Sequence, residues 1–143
     1  MSPPTYAVLD TNVVLDWLVF RAPRAAPLAA ALLSRQLRWL ACASMRRELA
    51  HMLGHPTLAR WAHAPDAALA CFDALAEVQP EPPPTAPALR CSDADDQVFV
   101  DLALAHGARW LLTHDRALLK LARRAALRGL VIAPPQRWQA GSP

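Results

Sequence analysis

The chain has 143 residues, 54% of them apolar, with a formal net charge of +3 and a pI of about 9.1. That length suits one domain with a full core. No apolar run reaches the length of a membrane span, and the N-terminus lacks the basic-then-apolar order of a signal peptide.

Cys42, Cys71 and Cys91 are odd in number and widely spaced. They argue against a disulfide framework or a zinc knuckle and point to a reduced, cytoplasmic setting. Nearly all the cations are arginine, with Lys120 the single lysine. Arginine forks suit phosphate, so the charge admits a nucleic-acid partner, and it admits an ordinary soluble surface equally well.

The run Tyr6-Ala7-Val8-Leu9 ahead of Asp10 predicts a first strand over about 6–10. Helices follow near 13–20 and 24–35, then a short apolar strand, Arg38 to Cys42. Ser44 is placed to cap a helix of about 45–54, where Met45, Leu49, Met52 and Leu53 form an apolar stripe that His55-Pro56 ends. Two more helices are expected near 57–63 and 66–77. The stretch 80–88, PEPPPTAPA, reads as an extended surface connector too short to divide two domains. Asp93, Asp95 and Asp96 then open a helix running to about 106, with Gly107 as its stop. Trp110 to Thr113 is a third strand, 115–126 a helix broken by Gly129, and Leu130 to Ile132 a fourth strand before a Pro-rich tail over 134–143. The chain therefore reads as a single α/β domain with a core over about 6–133: a parallel sheet carrying helices on both faces.

In such a sheet, ligand sites lie beyond the carboxyl ends of the strands. Asp10 ends the first predicted strand and Asp115 lies just past the third. Asp96 falls within the apolar stripe of its helix, roughly 40° from Val100, and Glu48 lies roughly 40° from Met52. Asp101, roughly 160° from Phe99, is expected to face solvent, and Asp16 is expected to be a solvated helix residue. Each acid also has a plain structural explanation. Asp93, Asp95 and Asp96 can serve a helix N-terminus, Asp115 can be a simple cap, and Glu48 can be a solvated flank. Asp10, directly after a buried strand, is the hardest to explain so. Carboxylates brought together repel, and near neutral pH they need protons or cations. Oxygen ligands without His or Cys partners suit Mg²⁺ or Mn²⁺.

Other chemistry is poorly supported. His51 and His55 are spaced i, i+4 but carry no HExxH motif, and no phosphate loop, dinucleotide fingerprint or GxSxG is present. The five tryptophans fall mostly in apolar surroundings and are expected in the core.

VLDTNV (8–13), SMRREL (44–49) and DADDQVFVDLALAHGARWLLTHD (93–115), in that order, resemble the PIN-domain family, in the branch of toxin components of bacterial toxin–antitoxin systems. The resemblance runs from about 6 to 133. It implies a three-layer α/β/α sandwich and a Mg²⁺- or Mn²⁺-dependent endoribonuclease binding one or two ions. On that resemblance Asp10, Glu48, Asp96 and Asp115 are the catalytic, metal-holding acids. Asn12 and Thr113 stand at positions that support the site by hydrogen bonding, and Asp93 is an extra acid in the same corner. The position after Asp96, often acidic in this branch, is Gln97 here. Arg46, Arg47, Arg116 and Arg123 are candidates to grip an RNA backbone. An antitoxin polypeptide and a homodimer are the protein partners the family suggests, and a membrane is not. The alternative is a catalytically weak or inactive RNA- or partner-binding module on the same fold. A haloacid-dehalogenase-like site would need a second Asp where Asn12 stands.

Overall fold

β1 (Tyr6–Leu9) forms where a short apolar run precedes an acid, and it sits at the centre of the molecule. A central parallel strand is covered on both faces, so it tolerates a continuous apolar run; Ala7, Val8 and Leu9 are all buried. The computed structural model describes residues 3–58, 65–84 and 89–138. Within them, β1 is joined by β2 (Arg38–Cys42), β3 (Ala76–Gln79), β4 (Trp110–Leu112) and β5 (Val131–Ala133) in one sheet of order β3-β2-β1-β4-β5. All four pairings are parallel; Val8 stands opposite Leu40 on one side and Leu111 on the other.

The helices are α1 (Thr11–Leu18), α2 (Ala26–Leu33), α3 (Ala43–Leu53), α4 (Pro65–Leu75), α5 (Gln97–Ala105), α6 (Arg116–Leu119) and α7 (Ala122–Ala126). From β1 the chain steps outward through β2 to β3, then recrosses to β4 and β5. Right-handed crossovers place α1–α4 on one face and α5–α7 on the other, giving the three-layer α/β/α sandwich. The direction of winding reverses between β1 and β4, and there the crevice of such sheets opens.

α5 packs on β1, β2 and β4. Phe99, Val100, Leu102 and Ala103 are buried on it, and each large side chain so buried contributes about 2 kcal/mol. Gly107 follows α5 with φ 63°, the left-handed stop that a glycine adopts without Cβ strain. Trp39, Trp110 and Trp138 are in the core and Trp17 packs against it, while Trp61 lies outside the described residues. Cys42, Cys71 and Cys91 are free. Among the described residues no helix is long and apolar enough to cross a membrane.

Several elements differ from the sequence expectation. β3 was not expected, and the expected helix of 66–77 overlaps its first two residues. It is an edge strand of four residues, and the apolar periodicity of α4 runs straight into it. What holds it is polar: Arg38 donates from Nε to Glu77 Oε2 at 2.5 Å and from its terminal nitrogen to Oε1 at 2.9 Å, while the Tyr6 hydroxyl donates to Oε1 at 3.3 Å. Ser44 is not the cap of α3. The helix starts at Ala43, and the Ser44 N–H is satisfied from outside by Glu81 Oε2 at 3.1 Å. The expected helix of 115–126 is two short ones, α6 and α7. Most of the expected helix of 57–63, the end of the 80–88 connector and the end of the tail lie outside the described residues.

Asp101 is 7% exposed, not solvent-facing. The Gln97 side chain explains it. Its Nε2 donates to Asp101 Oδ1 at 2.9 Å and to the Leu89 carbonyl at 3.1 Å, and its Oε1 accepts from the Cys91 N–H. Gln97 thus clamps the 89–91 segment over the flank of α5 and covers Asp101. Gln97→Glu removes the amide donor and sets a second anion beside Asp101. We expect a loss of about 2 kcal/mol, seen as a lower urea midpoint at unchanged slope; an unaltered midpoint would refute the clamp.

Candidate active site

Asp10 links β1 to α1. It occupies the N-cap position with φ −60° and ψ 148°, and its carbonyl accepts from the N–H groups of Val13 and Val14 at 2.9 and 3.2 Å. Its own N–H donates to the Leu112 carbonyl at 3.0 Å, adding one rung to the β1–β4 ladder. The side chain is 5% exposed. Burial pushes its carboxyl pKa up, while hydrogen bonds from the Thr113 hydroxyl and from the backbone N–H groups of Asn12 and Thr11 pull it back; the nearby Asp115 charge raises it further. The support from Asn12 is therefore its backbone N–H; its side chain is exposed.

Thr113 directly follows β4 and is wholly buried. Its N–H donates to the Ala133 carbonyl at 3.0 Å. Its hydroxyl donates to Asp10 Oδ2 at 2.6 Å and accepts from the Asp115 N–H at 2.9 Å. Asp115 in turn caps α6, its Oδ1 accepting from the Ala117 N–H at 2.8 Å. Capping and membership of the acidic group are compatible, because a carboxylate has two oxygens.

Asp96 ends the 3-10 turn Ala94–Asp96 that leads into α5. Asp93 heads that turn, accepting from the Asp95 N–H at 3.0 Å. Carboxylate oxygens of Asp93, Asp96 and Asp115, one from each, lie within 4.8 Å of one another. Asp96 is pushed up to a pKa of about 8, first by burial, then by its hydrogen bond with Asp115 and the charges of Asp10, Asp115 and Asp93. The same hydrogen bond, with the Ala117 N–H, holds Asp115 below its ordinary value. Two carboxylates this close oppose a second charge, and the opposite shifts leave Asp96 the member that holds a proton more readily. Asp96 Oδ2 is buried and has no hydrogen-bond partner among the described residues.

Glu48, on α3, is half-buried and hydrogen-bonded to the Thr11 side chain; burial raises its pKa, assisted by the charges of Asp10, Asp95 and Asp93. It belongs to the same corner without joining the tight trio. One participant, Asp95, lay outside the expected set, and Thr11, whose backbone N–H supports Asp10, makes a second link that was not expected. Thr11 adjoins Asp10 in the opening motif, but its link to Glu48 crosses from α1 to α3 and no spacing announces it. Asp95 sits inside the acidic run that opens the turn.

The expected basic residues divide. Arg46 makes a two-pronged ion pair with Asp73 at 2.7 and 2.8 Å, tying α3 to α4. Arg47, Arg116 and Arg123 are exposed, and Arg116 directly follows Asp115. Asp16 is not a solvated bystander. It accepts from Arg24 at 2.8 Å and stands 3.3 Å from His114 Nε2, because α1 turns its flank toward the exit of β4.

An all-oxygen set with one orphaned, buried carboxylate oxygen fits a hard divalent cation. A parallel α/β/α sandwich whose acids converge at its topological switch point defines the class. The chain belongs to the PIN-domain family, whose model, described as PIN domain, matches residues 6–117. PIN domains are generally nucleases. The fold is similar to that in the crystal structure of VapBC2 from Rickettsia felis bound to a DNA fragment from their promoter, with a TM-score of 0.59. Sequence identity there is 14%, over 90% of this chain and 97% of that one, so the likeness speaks for the fold. No curated protein matches the chain in sequence.

Between its ordinary value of 3.8 and about 8, Asp96 holds a proton in the folded state that it releases on unfolding. The native state therefore binds more protons across that window, and stability falls as pH rises through it. Asp115, whose pKa is lowered, acts only below its ordinary value and leaves the window unaffected. Metal-free Asp96→Asn should exceed the parent in stability by about 1 kcal/mol at pH 8, after allowing for solvent screening, and by little near pH 5. Melting temperatures across that range check it; a constant difference would refute it. Mg²⁺ should raise the parent's melting temperature most at pH 8, where Asp96 is readily ionised.

Proposed function

We propose that this chain is a Mg²⁺- or Mn²⁺-dependent endoribonuclease and the toxin half of a toxin–antitoxin pair. The carrying observation is that acids of the α5 turn and the exit of β4 converge, with Asp10 just past β1 tied to Asp115 through Thr113, and leave a buried Asp96 oxygen unpaired among the described residues. Asp96 and Asp115 are the shared ligands, with Asp93 on the open side, Asp10 on the buried side and Glu48 completing the set. When bound, the cation lowers the pKa of a coordinated water and stabilises the departing oxygen.

The chain's own residues do the rest. Thr113 holds Asp10 and Asp115 in a fixed relation. Thr11 holds Glu48, which orients the attacking water. Attack on phosphorus breaks the bond to the 3′-oxygen, which leaves with a proton as a 3′-hydroxyl, and the water oxygen stays on a 5′-phosphate. Arg116, next to Asp115, with Arg47 and Arg123, neutralises backbone phosphates; Arg46, already paired with Asp73, contributes less. The toxin reading rests on the PIN-domain family, on the motifs shared with its toxin branch and on the likeness in fold to VapBC2. An antitoxin polypeptide would cover the acidic corner.

Purified protein should cut single-stranded RNA in Mg²⁺, stop in EDTA, and lose at least about 100-fold in rate on Asp10→Asn. Gel analysis of labelled RNA gives the rates and end-group analysis the 5′-phosphate. Cleavage that survives both EDTA and the substitution would sink the proposal. Tight Mg²⁺ binding without cleavage of any RNA would favour the inactive binding module.

A further inference from the structure

A cavity of about 330 Å³ opens beside the C-terminal half of α1, lined by Trp17, Leu18, Arg21, Pro23, Ala26 and Ala29 among others. Small-ligand sites begin at about this size, roughly 300 Å³. Its aromatic wall is braced. Trp17 rests on Trp39 with ring centroids 5.5 Å apart, and Trp39 meets Phe72 edge-on at 5.0 Å.

Arg21 is the single charged residue in the lining. It lies three residues past α1 with φ 50°, while the N–H groups of Phe20 and Ala22 bond back to the Leu15 and Asp16 carbonyls. Glycine is the usual residue at such a stop, and a side chain there costs about 1 kcal/mol. Arg35, the second residue of this kind, uses its side chain to bond the Ala74 carbonyl at 3.2 Å. Arg21 makes no hydrogen bond or ion pair among the described residues. Its guanidinium is thus free to meet an anion at the edge of an apolar slot.

The cavity connects to the acidic corner by a ladder of contacts. Arg24, between the lining residues Pro23 and Ala25, donates to Asp16 at 2.8 Å. Asp16, just before Trp17, stands 3.3 Å from His114 Nε2, and His114 precedes Asp115. We infer that this cavity is a nucleotide subsite, taking one unpaired base of the substrate against Trp17 with a neighbouring phosphate on Arg21. The inference rests on the ribonuclease reading and narrows its substrate. A paired base cannot enter such a slot without leaving its stack, so the subsite selects single strands. Arg21 is exposed at the edge of the slot, where a phosphate can meet it without a lone charge being buried. A base with its phosphate satisfies both parts of the lining.

The test uses two variants and a dye-labelled, mixed-sequence, single-stranded oligoribonucleotide, followed by anisotropy in Ca²⁺ to limit cleavage. Arg21→Gly removes the cation and relieves the backbone, so it should melt no lower than the parent. Ala29→Phe fills the slot. Arg21→Gly should weaken binding about fivefold and Ala29→Phe about tenfold, with duplex RNA little affected by either. Parent-like binding by Arg21→Gly together with a folded Ala29→Phe overturns the subsite, as does a parent that binds no single strand. If Ala29→Phe fails to fold, Arg21→Gly decides alone. Cleavage by the parent in Mg²⁺ is scored separately. Lost cleavage with the binding pattern intact defeats the nuclease reading and spares the subsite, while parent-like binding with intact cleavage does the reverse. Unchanged RNA binding with lost affinity for a protein partner would assign the cavity to a polypeptide and overturn the inference.

Discussion

The Thr113 hydroxyl donates to Asp10 at 2.6 Å and accepts from the Asp115 N–H at 2.9 Å, all just past the pairing of Leu9 with Leu112. A buried carboxylate is tolerable only when it is hydrogen-bonded or neutralised. This hydroxyl answers part of that cost and fixes where the β4 exit turns. Once the turn is set, Asp115 is placed to cap α6 and to face Asp96. The β1–β4 pairing sits at the reversal of the sheet, so the crevice, the buried acid and the relay between strand ends share one origin. An alanine at 113 would strip Asp10 of a side-chain donor and the Asp115 N–H of its acceptor together.

The acids gathered there work against the stability of the metal-free fold. The pKa values of Asp10, Glu48 and Asp96 are all raised, with burial the leading cause in all three, so the charge on each is held at a cost. A cation relieves all of them at once, which is why the same geometry that strains the empty corner favours a divalent ion. Asp93 and Asp115 each satisfy a backbone N–H with one oxygen. These caps hold the carboxylates in place at little entropic cost, so a capping role does not remove these acids from the acidic group.

Much of this was legible because β1 and β4 are apolar runs ended by Asp10 and Thr113, and parallel packing demands such runs. β3 was not legible, since an edge strand carrying Glu77 looks like the tail of α4 and depends on Arg38 and Tyr6 from other strands. Helical angles put Glu48 and Asp96 on inward faces, and both are partly buried. The same angles turned Asp101 outward, because they know nothing of the 89–91 segment that Gln97 pulls over α5. Asp16 was dismissed for want of a partner, and its partners, Arg24 and His114, come from a turn and a strand exit that no helical spacing connects to it. Local pattern shows what an element covers with its own stripe; cover supplied by distant loops is invisible to it.

α1 runs between the acidic corner and the cavity. Asp10 stands at its N-terminus and Arg21 just past its C-terminus, and an eight-residue helix spans about 12 Å. That is a distance a short run of unpaired nucleotides can bridge. Asp16 lies between, paired with Arg24 on the cavity side and 3.3 Å from His114 Nε2 on the acidic side. A base seated by Trp17 would therefore set the register of the strand against Asp96 and Asp115 through one rigid element. Gln97, directly after Asp96, ties the 89–91 segment to the start of α5 instead of adding a further charge. Precision at the corner then comes from neighbouring turns and helix ends rather than from additional charge.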